Sequence, residues 1–221
     1  MTTILIANIG NRDVRVNKSA PIPAEINPLA KEKDASRRAL GDYLQAHWEA
    51  CRDHLDLPII GKAVSYVLQH NGSLDRVVLI ASDQSGCDGV SDYHLQQDTC
   101  TLAPVVKRLL IERYDLAADA IAHQPVHDNP ADYSVMQAFF RRYLAVLRDE
   151  YPKTTFYLEV SGGTPAMTSM LLTVGAEIFG LDAHPLYVSE HEEQPFPLDL
   201  GRRAVADALI RALRADVALY A

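Results

Sequence analysis

Glu159-Val160-Ser161-Gly162-Gly163-Thr164-Pro165-Ala166-Met167 joins an apolar strand to a helix through a Gly-Gly turn. Upstream, Thr154-Thr155-Phe156-Tyr157-Leu158-Glu159-Val160 is rich in β-branched and aromatic residues, the composition of a buried strand. Downstream, Pro165 suits the first turn of a helix, where its missing N–H would have no intrahelical partner. Thr164 is then the N-cap, and the helix is expected to run through Met167, Met170, Leu171, Val174 and Ile178 to a stop at Gly180. A strand, a glycine turn and a helix N-terminus together make an anion site, because backbone N–H groups and the positive end of the helix dipole face outward there. Ser161 and Thr164 add hydroxyl donors. The same residues also suit a plain, well-capped β–α connection. A Walker loop is excluded, since no Lys-Ser/Thr follows at the required spacing, and so is Gly-x-Gly-x-x-Gly.

Two further strands end in polar turns. Thr2-Thr3-Ile4-Leu5-Ile6-Ala7-Asn8-Ile9 is a continuous apolar run that reads as a central parallel strand, and it runs into Gly10-Asn11-Arg12-Asp13-Val14. Arg12 has the chemistry to contact a phosphate or stack on a base, and Asn11 and Asp13 to read base or ribose edges. Asp75-Arg76-Val77-Val78-Leu79-Ile80-Ala81 is the second, followed by Ser82-Asp83-Gln84-Ser85-Gly86. In an open parallel sheet ligands bind outside the carboxyl ends of the strands, so the turns at 10–14, 82–86 and 161–165 are expected to converge on one rim.

Elsewhere the pattern predicts a Pro-containing exposed loop or lid over 18–33, a helix over 34–55 and another over 59–70 closed by Asn71-Gly72. It also predicts a helix over 102–116, a strand within 117–126 placed at a sheet edge, and a helix over 135–150 capped by Asp132 or Ser134. A last strand over 183–189 is followed by an acidic loop over 190–197 and an amphipathic helix over 201–220. That helix is read as a dimer contact or a connection to a further domain. His94, Asp98 and Cys100 lack the spacing of hydrolytic metal sites, and no metal or cofactor is expected.

Composition narrows the classes. The 221 residues fit one large domain with a terminal appendage, read as 1–200 and 201–221. No apolar run approaches the eighteen or so residues of a membrane span and no basic-then-apolar leader opens the chain, so a cytoplasmic protein without membrane partners is expected. Cys51, Cys87 and Cys100 are scattered, which suits free thiols. A formal net charge of −8 argues against broad binding of long nucleic acid but leaves room for a small anionic ligand.

Alternating strands and helices imply an α/β, Rossmann-like, mainly parallel sheet with helices on both faces. Taken with Gly10-Asn11-Arg12-Asp13-Val14, Ser82-Asp83-Gln84-Ser85 and Ser161-Gly162-Gly163-Thr164-Pro165-Ala166-Met167, the chain resembles the CRISPR-associated Rossmann-fold (CARF) domain. The resemblance implies a homodimeric sensor of cyclic oligoadenylate, the second messenger of type III CRISPR antiviral defence, with the ligand across the two-fold axis. It assigns ligand contact to Gly10, Asn11, Arg12 and Asp13, to Ser161, Gly162, Gly163, Thr164, Pro165 and Met167, and less firmly to Ser82, Asp83, Gln84 and Ser85. Some relatives that cleave the ring carry Lys directly after Gly-Gly-Thr, where this chain has Pro165, which removes a cationic stabiliser of the transition state.

Three functions follow. The first is a sensor module that switches an attached effector domain, consistent with a chain lacking the Arg-x-x-x-x-His of ribonuclease effectors. The second is a slow, metal-independent ring nuclease that ends the signal by positioning a 2′-hydroxyl for in-line attack, with Thr164, Ser161 and Asn11 as the catalytic candidates. The third is a Rossmann-like enzyme acting on an unrelated phosphorylated metabolite.

Overall fold

A computed structural model describes residues 2–23, 26 and 36–199. Most of the 18–33 loop, the 201–220 helix and the boundary at 200 lie outside the described residues.

Five strands run parallel: β1 (Thr2–Asn8), β4 (Arg76–Ser82), β5 (Ile121–Val126), β6 (Thr154–Glu159) and β7 (Ala183–Tyr187). β8 (Phe196–Pro197) adds antiparallel to β7, and the sheet order is β5-β4-β1-β6-β7-β8. β2 (Arg15–Val16) and β3 (Leu55–Asp56) form a separate antiparallel ribbon. The α/β, Rossmann-like architecture with a mainly parallel sheet is the one expected from the sequence, and β5 occupies the predicted edge.

Strand side chains alternate between two cores, as the pleat requires. Leu5, Ala7 and Ile9 of the first strand segment share one core with Val77, Leu79 and Ala81, covered by α1 (Arg37–Ala46), α3 (Ile60–Asn71) and α5 (Ala103–Tyr114). Ile4, Ile6, Val78 and Ile80 face the other way, under α6 (Tyr133–Glu150) and α7 (Pro165–Phe179). Buried on both faces, these strands are continuously apolar rather than alternating. On the second face Phe156 stacks on Phe179 with ring centroids 3.7 Å apart, and Gly175 lets α7 approach the side chain of Leu158 on β6.

Helix boundaries follow their caps. Asp132 caps α6 by accepting from the N–H groups of Ser134 and Val135, and Gly72 ends α3 in the left-handed region at φ 72°. The continuous helix expected over 34–55 is instead broken. α1 ends at His47, whose φ of −117° and ψ of 35° leave the helical region while its ring stacks on Tyr43. A short α2 (Trp48–Cys51), a 3₁₀ turn and β3 follow. The apolar face is nonetheless the one the spacing implies, since Leu40, Leu44, Trp48 and Leu55 all enter the same core. Periodicity reports the face, and the antiparallel demand of Val16 on Leu55 decides the backbone. Two elements were not anticipated: α4 (Asp92–Gln97), capped by Ser91, and β8 within the acidic loop.

Phe140 is fully buried on α6 beneath the sheet. Phe140→Ala is expected to lower unfolding free energy by about 3–5 kcal/mol, read as a reduced urea midpoint with an unchanged slope.

Candidate functional site

The strand order places the site. From β1 the chain builds outward through β4 to β5, then returns to the other side of β1 for β6 and β7. Turns after β1 and β6 therefore leave in opposite senses, and a crevice opens between them at the carboxyl ends of the strands. Into it project Gly10 and the Gly162-Gly163 turn.

These two turns meet backbone to backbone. A Cβ on Gly10 would lie 2.5 Å from the Gly163 nitrogen, and one on Gly162 would collide with the carbonyl oxygen of Asn8. Gly163 has φ 84°, a left-handed conformation that also favours glycine. Glycine is required at these positions by contact across the switch point as well as by the local turn.

Beneath the contact sit two acids. Asp13 is fully buried, its Oδ2 accepts from the Gly10 N–H at 2.6 Å, and its carboxyl faces the Ile60 N–H at the start of α3. Glu159, equally buried at the end of β6, accepts from the N–H groups of Ser161 at 2.7 Å and Gly162 at 3.2 Å. Both carboxyls approach Gly162: a Cβ there would lie 2.9 Å from Asp13 Oδ2 and 3.3 Å from Glu159 Oε2. Burial, reinforced by the neighbouring Glu159 charge, pushes the Asp13 carboxyl well above its usual range. Burial likewise pushes Glu159 up to about 7, against the opposing pull of its Ser161 and Gly162 donors.

The hydroxyls of the motif are already engaged. Thr164 Oγ1 caps α7 by accepting from the Met167 N–H at 3.2 Å and donates to the carbonyl of Pro130. Ser161 Oγ accepts from the Val188 N–H at 2.6 Å, tying the β6 turn to the end of β7, and Thr168 Oγ1 donates to the Gly162 carbonyl at 3.0 Å. The turn after β4 is braced by side chains as well. Ser82 and Thr99 exchange two bonds, N–H to Oγ1 at 3.2 Å and N–H to Oγ at 3.1 Å. Gln84 donates twice to buried Asp98, and Arg38 bridges Asp98 and Asp83 at 2.9 and 2.8 Å. Partial burial raises the Asp83 pKa, but hydrogen bonds from Arg38 and Ser85 outweigh it and bring the group to about 2.

Above this floor lies a cavity of about 650 Å³. Of the residues anticipated from sequence, it brings together Gly10, Asn11, Arg12 and Asp13 from the first turn, Ser82 and Gln84 from the second, and Ser161, Gly162, Gly163, Thr164 and Met167 from the third. Asp83, Ser85 and Pro165 are not among its lining residues. Asp13 contributes to the floor, since it is fully buried, whereas the Arg12 side chain is 79% exposed.

Sequence reasoning missed two walls. The β5–α6 loop contributes Asn129, Pro130 and Ala131, and the turn after β7 contributes Val188, Ser189, Glu190 and His191. The Asn129-Pro130 dipeptide after a strand is a turn signal that marks the first; the second joins Val188 and Ser189, assigned by pattern to the end of the last strand, to the start of an acidic loop that composition alone classes as solvent-facing. α4 adds His94 and Gln97. Among the described residues no cluster of His, Cys, Asp and Glu is placed to hold a metal ion, and no helix is long and apolar enough to cross a membrane.

Residues 121–183, which contain β5, α6, the Gly-Gly turn and α7, match the family model of the Cas_Csm6 CARF domain. No curated protein matches the chain. Among solved structures, the chain is similar to Csm6 of Enterococcus italicus bound to cyclic hexa-2′-fluoro-hexa-dAMP, with 16% identity and a TM-score of 0.48 over 96% of this chain and 39% of that one. It is also similar to Can2 of Sulfobacillus thermosulfidooxidans in complex with cyclic tetra-adenylate, with 19% identity and a TM-score of 0.40 over 65% of this chain and 33% of that one. The chain thus corresponds to well under half of either protein.

Two outcomes are expected from the floor. Gly162→Ala forces the two turns apart and is expected to cost about 1–3 kcal/mol in chemical denaturation. For Glu159 the folded pKa of about 7 lies above the reference value of 4.5, so the folded state holds its proton longer than the unfolded chain. Stability should therefore fall as pH rises from about 4.5 through about 7. Glu159→Gln should flatten that decline in urea titrations across the window, leaving the contribution of Asp13, whose raised pKa has the same sign.

Proposed function

We propose that this chain, whose residues 121–183 match the Cas_Csm6 CARF family model on a Rossmann-like sheet, is a cyclic oligoadenylate-binding sensor module, with the ring held across the two-fold axis of a homodimer. The observation that carries this reading is the close contact of the Gly10 turn with the Gly162-Gly163 turn at the switch point, directly under a cavity, the second of these turns lying inside the segment that matches the family model.

The chemistry of the cavity suits a compact oligonucleotide ring better than a long polyanion. Its rim combines the amides of Asn11 and Asn129 with the Arg12 guanidinium, groups that read base and ribose edges and steady a phosphate. Clefts of about 300–1,000 Å³ accept small ligands, so one cavity of this size takes part of a ring and a second copy supplies the rest. Bound in that way, the ring bridges two protomers, and its arrival is passed to an effector domain as a change in their relation.

Binding is favoured over cleavage by the state of the hydroxyls. Ser161 and Thr164, two of the three candidates for positioning a ribose 2′-hydroxyl, are occupied by Val188, Met167 and Pro130, and Pro165 fills the position where a cation would act. Isothermal calorimetry with cyclic tetra- and hexa-adenylate at micromolar protein should give saturable heat at one ring per two chains. No heat with either ring overturns the reading. Linear adenylates accumulating over hours of incubation would replace the sensor with the ring nuclease, and a phosphorylated metabolite bound one per chain in place of the rings would favour the unrelated enzyme.

A further inference from the structure

Arg12, on the cavity rim in the turn after β1, and Arg15, on β2 behind it, both end on one carboxylate. Arg12 Nη1 lies 3.1 Å from Glu190 Oε1, and Arg15 Nη2 lies 3.1 Å from Glu190 Oε2. Each guanidinium holds a different oxygen. The Glu190 side chain is 21% exposed, while those of Arg12 and Arg15 are 79% and 44% exposed. The carboxylate is thus the enclosed member of the trio, and both it and Arg12 line the cavity.

The loop carrying Glu190 is held from behind. Lys62 of α3 donates to the carbonyls of Ser189 at 2.9 Å, Glu190 at 3.0 Å and Glu192 at 2.7 Å. On its other side the Val188 N–H is fixed by Ser161. Glu190 is therefore presented to the two arginines by an anchored backbone.

We propose that Glu190 is a built-in anion surrogate: its carboxylate occupies the place at Arg12 and Arg15 that a phosphodiester of the ligand takes when it binds. This rests on the reading of the cavity as an oligonucleotide site and adds the group that sets its affinity. A phosphodiester presents two non-bridging oxygens much as a carboxylate presents its pair, and two guanidiniums already spread over two oxygens are arranged for either. Exposed arginine–carboxylate pairs contribute little to stability, so displacing Glu190 costs little, yet its charge opposes every incoming anion. The surrogate lowers apparent affinity by the fraction of molecules in which it stays in place. It favours a ligand with phosphate at that point over a neutral nucleoside, which gains nothing by displacing it.

The test compares wild type, Glu190→Gln and Glu190→Gln combined with Arg12→Ala and Arg15→Ala, after thermal melts show that each folds. Inorganic pyrophosphate is titrated while the arginine side-chain ¹H–¹⁵N resonances are followed by NMR. Glu190→Gln should bind pyrophosphate about three- to tenfold tighter than wild type, with shifts at Arg12 and Arg15, and the combined variant should lose the gain. Equal or weaker binding by Glu190→Gln, or a gain that survives loss of both arginines, overturns the proposal. Adenosine, measured in parallel, should bind all three proteins alike. Cyclic tetra- and hexa-adenylate then judge the cavity separately: tighter pyrophosphate without binding of either ring keeps the surrogate and removes the oligoadenylate reading, and ring binding unaffected by Glu190→Gln does the reverse.

Discussion

The approach of two backbone turns across the switch point is the constraint on which the rest depends. A parallel sheet that changes direction at β1 must bring the ends of β1 and β6 side by side. In this chain they come so near that side chains are excluded at Gly10 and Gly162. That contact sets the depth of the cavity, the entry angle of α7 and the point from which Arg12 leaves the turn. Nothing in the local chemistry of either turn alone demands so close a contact; it is a tertiary requirement.

Close contact of two turns gathers N–H groups that need acceptors, and the chain supplies its own. Glu159 serves the Ser161 and Gly162 donors, and Asp13 serves Gly10. In many nucleotide-binding α/β sheets such donors point at ligand phosphate. Here part of that capacity is spent inward on two buried carboxyls, and the anionic character usual for the ligand is partly built into the floor. Because burial raises both carboxyls, they hold protons more readily than exposed acids do, and they satisfy the turn's N–H groups while placing less negative charge beneath the cavity than two ionised acids would.

The motif at 159–167 was legible because strand, glycine turn and cap are local: Thr164 caps, Pro165 starts the helix and Gly180 ends it, as their conformational preferences require. The parallel sheet followed from apolar runs such as 2–9, and β5 from its weaker pattern. What could not be read was anything set by a partner distant in sequence. Glu159 looks like the last polar residue of a strand until Gly162 folds back over it. Asp13 looks like a surface turn residue until α3 arrives at Ile60. His47 breaks a helix whose apolar spacing continues undisturbed, because Leu55 is needed opposite Val16. The walls at 129–131 and 188–191 escaped for the same reason, since a loop's composition does not say which cavity it borders.

Lys62 has a mechanical meaning beyond its place in the structure. An ammonium group has three protons, and all three here meet main-chain carbonyls of a single short loop. Because one side chain joins three points, the loop yields little to small displacements: releasing one bond leaves two that restore it. Only a push strong enough to part the loop from α3 altogether frees it. The rim after β7 is thus braced against α3 at three points rather than one, and its backbone is a stiffer support for the Glu190 side chain than a loop tied by a single bond would be.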